Sequence, residues 1–327
     1  VRAVVVEEFG GPEVLQLREV PVPVPGPGQV SIDVAFAGMN FAEIQARTVG
    51  YRVASLPFVP GLEVSGRIRA LGEGVTGFRP GDRVAVMLTG GGYAEVALAD
   101  ADTVIAVPAG LDLRTAATLP TVLPTAYALI HYAGRLRAGE SVLVQGAAGG
   151  VGTALGQVAR LAGAGRVYGV VSNHDKAAFA VKHGYDEVFV GEDFDRQLAA
   201  ATDGRGVDLV LDSVGGSTWE RSLASLARYG RAVSFGNAGG AAPWSAGMAD
   251  LAPKSLSVAG FSILGLSAAD PALLRRLSAE AFALVATEGL ELPVSAEFPL
   301  EEAAEAQRLL GGRASTGKLL LRVGAEA

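Results

Sequence analysis

The chain has 327 residues, half of them apolar, with 19% charged, a formal charge of −7 and no cysteine. That length suits two domains of ordinary size. The acidic balance argues against a nucleic-acid binder, and the missing cysteine removes disulfides, thiolate chemistry and cysteine-ligated zinc. No uninterrupted apolar run reaches the roughly 18 residues that span a bilayer, and the opening lacks the basic stretch and long apolar core of a secretory leader. The expectation is a soluble, cytoplasmic protein with no membrane or nucleic-acid partner.

The first hundred residues read as β. Short runs rich in Val, Ile and Leu cover 3–6, 15–20, 30–37, 64–70, 84–88 and 93–98, separated by turn residues such as Gly10-Gly11-Pro12 and Arg79-Pro80-Gly81-Asp82. Their spacing predicts a barrel-like antiparallel domain. A long apolar stretch, 115–133, is expected to be helical. From Ser141 strands and helices alternate: strands at 141–145, 166–171, 188–190, 207–212 and 232–236, with helices at 151–162, 177–182, 194–201 and 219–227. Alternation of this kind implies parallel strands with helices on both faces. One more strand, 257–263, and a long helix, 270–287, follow. The tail, helix 300–310 and strand 318–323, is expected to rejoin the first domain.

The most informative segment is Gln145-Gly146-Ala147-Ala148-Gly149-Gly150-Val151-Gly152. An apolar strand runs through small residues directly into a helix. Small residues let the backbone turn tightly and approach a pyrophosphate, and the helix start offers free N–H groups and a positive dipole end. A glycine run alone is weak evidence; with a strand before, a helix after and another strand about 20 residues on, it points to a dinucleotide. The second strand ends in Ser172-Asn173-His174, with Lys176 close behind, where an acidic residue would mark NAD. Hydroxyl, amide and ammonium groups suit a 2′-phosphate, so NADPH is the expected cofactor. Asp175 in the same turn is the counter-argument, unless it serves only the next helix.

These residues resemble a family. Phe9-Gly10-Gly11-Pro12-Glu13, Gly38-Met39-Asn40-Phe41, Pro80-Gly81-Asp82-Arg83-Val84, Ala147 to Gly152, Asp212-Ser213-Val214-Gly215 and Ser234-Phe235-Gly236-Asn237 together resemble the zinc-independent medium-chain dehydrogenase/reductases, in their NADPH:quinone oxidoreductase, zeta-crystallin-like branch. The resemblance implies an α/β protein: a GroES-like β-rich catalytic domain (1–117 and 265–327) and a Rossmann doubly wound parallel sheet domain (118–264). It implies cofactor contacts at Asn40, Phe41 and Gln45 beside the nicotinamide, at Thr125, at Gly149, Gly150 and Val151 on the pyrophosphate, and at Ser172, Asn173, Lys176 and Arg313 around the 2′-phosphate. Ser213, Phe235, Gly236, Asn237, Gly260, Phe261 and Ser262 would line the rest of the groove. It also implies a homodimer paired through the 257–263 strand, and a metal-free site, since Leu62 stands where zinc-bearing relatives place a ligand histidine. Two departures bear on specificity: Gln45 stands where many quinone reductases have a tyrosine, and Gly191 where a relative can offer one near the adenosine.

Hydride transfer to a quinone or an enone needs hydrogen-bond donors at the carbonyl oxygen when no metal is present. Tyr51 is the candidate proton donor, matching by position a tyrosine of enoyl-thioester reductases, although a lone tyrosine in Gly50-Tyr51-Arg52 also reads as a surface turn residue. Asn40 is the second catalytic candidate, orienting the nicotinamide or its ribose; as an isolated residue it reads as a turn Asn. The expected activity is therefore NADPH-dependent reduction of a quinone or α,β-unsaturated carbonyl, with an enoyl-thioester reductase and an NADPH-binding protein without turnover as the alternatives. Gly312-Arg313-Ala314-Ser315-Thr316-Gly317-Lys318 imitates a phosphate loop, but Leu319 replaces the magnesium-binding Ser or Thr and a strand is expected to follow.

Overall fold

The computed structural model describes residues 1–324. The chain divides into two compact units, Val122–Glu291 and a second made of Val1–Thr121 with the segment from Leu292 onward.

The unit built from both chain ends is β-rich. Strands β1 (Arg2–Val6) and β2 (Leu15–Glu19) pair antiparallel. Next come β3 (Gln29–Gly38), helix α1 (Phe41–Val49), β4 (Glu63–Leu71), β5 (Arg83–Met87), β6 (Val96–Asp100) and β7 (Ile105–Ala106). A short helix, α2 (Leu113–Ala116), follows. β3 is the centre of this unit: it pairs antiparallel with both β4 and β6, and eight of its ten residues are Val, Ile, Phe, Ala, Ser or Gly, which suit a covered sheet. Val30, Ile32, Val34, Val64, Ile68, Val84 and Val86 join Leu319 and Leu321 in one apolar core.

The other unit begins with α3 (Val122–Ala128). Its sheet holds β8 (Ser141–Gln145), β9 (Arg166–Val171), β10 (Glu187–Val190), β11 (Val207–Asp212), β12 (Leu226–Ser234) and β13 (Ser257–Gly260). The order is β10-β9-β8-β11-β12-β13 and every pairing is parallel. Helices α4 (Gly150–Leu161), α5 (His174–Lys182), α6 (Phe194–Ala201) and α7 (Gly216–Ala224) alternate with the strands. Strand order reverses between β8 and β11, which is where a doubly wound sheet opens a crevice at its carboxyl edge. A single turn, α8 (Met248–Leu251), precedes β13, and α9 (Ile263–Ala269) and α10 (Pro271–Glu288) close the unit. The chain then returns to the first unit with β14 (Val294–Pro299), α11 (Ala303–Gly311) and β15 (Lys318–Arg322), which pairs antiparallel with β3. Among the described residues no helix is long and apolar enough to cross a membrane.

Several expected elements shift. The helix expected over 115–133 is broken, because Pro120 has no N–H to give and holds Leu119 out of the helical region; α2 ends at Ala116 and α3 starts at Val122. The strand expected at 93–98 begins at Val96; Tyr93 sits ahead of it, buried, its carbonyl accepting from the Val4 N–H at 2.8 Å. The strand expected over 257–263 stops at Gly260, because Ser262 caps α9 through its hydroxyl, which accepts from the Gly265 N–H at 3.1 Å. The domain boundary expected at 264 falls at Glu291: α10 packs on α3 and α9 on α10 inside the Rossmann unit, so residues 265–291 do not belong to the β-rich unit.

Candidate active site

In the Rossmann unit the expected cofactor residues gather on one edge. Parallel strands share a carboxyl end, so the residues that follow them lie along the same rim: Gly149, Gly150 and Val151 after β8, Ser172, Asn173 and Lys176 after β9, Ser213 after β11, Phe235, Gly236 and Asn237 after β12, and Gly260, Phe261 and Ser262 at the end of β13. Thr125 is apart from that rim in sequence terms: it lies buried within α3.

The turn after β8 has the form a pyrophosphate needs. Gly146 has φ 69°, which a side chain resists. A Cβ on Gly152 would stand 2.2 Å from the Gly146 carbonyl oxygen, so the first turn of α4 and the loop can close on each other only without one. Gly149 is the N-cap of α4 and no side chain caps this end. The leading N–H groups of α4, those of Gly150 and Val151 among them, have no carbonyl within the helix to meet. A small-residue cradle under an uncapped helix start fits a dinucleotide phosphate. Beneath it runs a buried polar chain: Gln145 Nε2 donates to the Ser222 hydroxyl (3.1 Å), which donates to Asp212 Oδ2 (2.8 Å), while Asp212 Oδ1 accepts from the N–H groups of Val214 (2.7 Å) and Gly215 (2.9 Å). That chain ties the ends of β8 and β11 and fixes the turn that carries Ser213.

At the end of β9 the residues from Ser172 to Asp175 are exposed. Asn173 caps α5, its Oδ1 accepting from the Lys176 N–H at 3.2 Å, so what its side chain offers an anion is its amide NH2.

The β-rich unit places Asn40 at the N-cap of α1, with Phe41 as the first helical residue and Gln45 one turn on. Three strand ends meet beneath Asn40. Gly38 ends β3, Glu63 opens β4 opposite it, and Lys318 opens β15 beside them. A Cβ on Gly38 would sit 2.5 Å from Glu63 Oε1, so only glycine leaves room for that carboxylate. Glu63 and Lys318 are buried and paired at 2.5 Å. Lys318 Nζ also donates to the Met39 carbonyl (2.8 Å) and Asn40 Oδ1 (3.1 Å), and Asn40 Nδ2 donates to Glu63 Oε1 (2.9 Å). Glu63 Oε2 accepts from the Thr121 N–H at 2.8 Å. Next to this cluster lies Glu43, also buried, which accepts from the N–H groups of Asn40 (3.0 Å) and Leu62 (2.9 Å) and from the Tyr93 hydroxyl. Burial pushes the Glu43 carboxyl up to about 7, against the lowering effect of those hydrogen bonds and of Lys318.

Tyr51 lies in the turn after Gly50, the left-handed C-cap of α1, and is 39% exposed. Its hydroxyl accepts from Arg52 Nε at 3.3 Å, leaving its own proton to donate. Arg313 follows α11 in the same unit, exposed and with φ 54°. Leu62 and Met39 are buried, and Met39 is part of the apolar core of this unit.

Sequence reasoning missed Glu43, Glu63, Tyr93 and the role of Lys318. Lys318 entered it only as the end of a false phosphate loop, whereas its ammonium points into the protein. One signal was available: an acid directly before an apolar strand and one of only four lysines directly before another.

Two families match the chain: "Alcohol dehydrogenase GroES-like domain" over residues 26–109 and "Zinc-binding dehydrogenase" over residues 150–279. Quinone oxidoreductase from Mus musculus is 36% identical, covering 98% of this chain and 97% of that protein. Quinone oxidoreductase from Pseudomonas aeruginosa is 35% identical, covering 96% and 97%. Among solved structures, Escherichia coli quinone oxidoreductase complexed with NADPH superposes with a TM-score of 0.92 at 33% identity, covering 98% of this chain and 100% of that one. A mycobacterial protein complexed with NADPH gives 0.92 at 32% identity, covering 98% and 100%. The chain therefore belongs to the medium-chain dehydrogenase/reductase superfamily, in its quinone oxidoreductase branch. The zinc in the second family's description does not fit this donor set: the chain has no cysteine, and among the described residues no three His, Asp or Glu side chains group to hold a metal.

Proposed function

We propose that this protein is an NADPH-dependent reductase that delivers hydride to quinones or α,β-unsaturated carbonyl compounds without a metal ion. The observation that carries the reading is the glycine cradle of Gly146 and Gly152 under the uncapped start of α4, at the point where strand order reverses. NADPH, when bound, supplies the hydride. The chain's own residues do the rest. The Gly150 and Val151 N–H groups hold the pyrophosphate. Ser172, Asn173 and Lys176 take the 2′-phosphate, with Arg313 added on the family resemblance alone. Asn40 keeps one N–H of its carboxamide for cofactor or substrate, since Glu63 takes the other and Lys318 holds its oxygen. Tyr51 supplies an O–H to the carbonyl oxygen as negative charge develops there.

Three readings are separated by one assay. NADPH oxidation is followed in parallel with a 1,4-quinone, an enone and an enoyl-thioester. Turnover with quinone or enone supports the proposal; turnover with the thioester alone points to an enoyl-thioester reductase; binding without turnover points to a crystallin-like role.

We further propose a homodimer paired through β13, an edge strand whose free backbone groups invite a second copy. Sedimentation should give twice the chain mass, and a monomer mass independent of concentration would count against it.

A further inference from the structure

We propose that Lys318 and Glu63 act as a clamp that fixes which way the Asn40 carboxamide faces, making them positioning residues for the reaction; this rests on the reading of Asn40 as a cofactor- or substrate-contacting residue. The argument is one of valence. A carboxamide offers two N–H donors and two lone pairs, and its two ends are nearly the same shape, so an unheld Asn can turn over. Here one end meets a carboxylate and the other an ammonium. Asn40 Nδ2 donates to Glu63 Oε1 at 2.9 Å, and Asn40 Oδ1 accepts from Lys318 Nζ at 3.1 Å. The reversed amide would set its NH2 against the ammonium and its oxygen against the carboxylate, so only one orientation satisfies both partners.

The clamp has no capacity to spare. All three Lys318 N–H bonds are taken, by the Met39 carbonyl, Asn40 Oδ1 and Glu63 Oε1. A fully committed ammonium is 2% exposed and cannot itself reach a substrate. Glu63 is 0% exposed and holds Thr121 with its other oxygen. Asn40 alone in the cluster is half-buried, and its second N–H is the polar group the cluster can still offer. A buried ion pair contributes little net stability compared with well-packed apolar residues. The pair is therefore better understood through what it orients.

The test is a double-mutant cycle on the whole enzyme. The variants are Asn40→Ala, the pair Glu63→Gln with Lys318→Met (which removes both charges and leaves neither one stranded), and all three together. Each is measured for NADPH affinity by fluorescence titration and for kcat/KM with a 1,4-quinone, after thermal unfolding confirms a folded chain. A misplaced positioning group typically costs on the order of 10²-fold, so the pair should lose about that much in kcat/KM when Asn40 is present. It should lose less than about threefold when Asn40 is already Ala, because contacting groups that act as a unit are not additive. Equal losses in both backgrounds overturn the clamp, since a merely structural role does not depend on Asn40. If the pair does not fold, Glu63→Gln alone keeps the shape and runs the same cycle with the same two outcomes. A wild type that binds and oxidises NADPH while the cycle is additive overturns the clamp alone. A wild type that does neither overturns the proposed function and the clamp with it.

Discussion

Tyr51 and Glu43 are eight residues apart and meet opposite surroundings. Tyr51 is partly exposed and keeps a proton to give. An enone that accepts hydride at its β-carbon becomes an enolate, which needs a donor at oxygen. A reduced quinone is stabilised by its new aromatic ring and can take protons from water. Tyr51→Phe removes only the hydroxyl, and a lost general acid typically costs about 10²–10⁴ in rate. A large loss of kcat with enones is expected, with a small one for quinones and unchanged NADPH affinity; steady-state kinetics on both acceptors checks it, and wild-type enone turnover in the variant would reduce Tyr51 to a turn residue. Glu43 answers to burial instead. An acid whose folded pKa of about 7 lies above its ordinary 4.5 is more protonated in the folded chain between those values. Stability from this group is therefore greatest below that window, falls as pH rises through it, and is level above it. Glu43→Gln should flatten the decline, by an amount of a few kcal/mol across the window, as read by urea unfolding at a series of pH values. Parallel pH profiles for variant and wild type would contradict that.

At the scale of elements, the glycine turn between β8 and α4 was legible because its signal is local. Strand, small residues and helix follow one another in the chain, and Gly146 and Gly152 each answer a nearby backbone demand. The β9–α5 turn was legible for the same reason, and it carries a prediction. Lys176→Ala should weaken NADPH by about 10- to 100-fold, the worth of a charge-assisted contact to phosphate, and leave NADH nearly unchanged; equal losses for both in a titration would remove Lys176 from the 2′-phosphate site. The network under Asn40 was not legible, because its members are distant in sequence: Glu63 is 255 residues from Lys318. Only the pairing of β3 with β4 and with β15 brings them together. Elements were misjudged where a single residue overrode a longer pattern, as Pro120 does in the apolar run ahead of α3 and Ser262 does after β13.

At the scale of the molecule, fold class and the insertion of one domain into another could be read from the switch between β periodicity and strand–helix alternation. The return point could not. The helical run after β13 has no composition that distinguishes a last Rossmann helix from a returning catalytic one, and only packing of α10 on α3 assigns it. The proposed function makes one central claim: a metal-free reductase that takes its hydride from NADPH. The direct measurement is kcat/KM for NADPH and for NADH with a 1,4-quinone, on enzyme exhaustively treated with chelator. Chelated enzyme that oxidises NADPH at the untreated rate, with a clear preference over NADH, is the expected result. Preference for NADH, or turnover that disappears on chelation and returns with zinc, would contradict it.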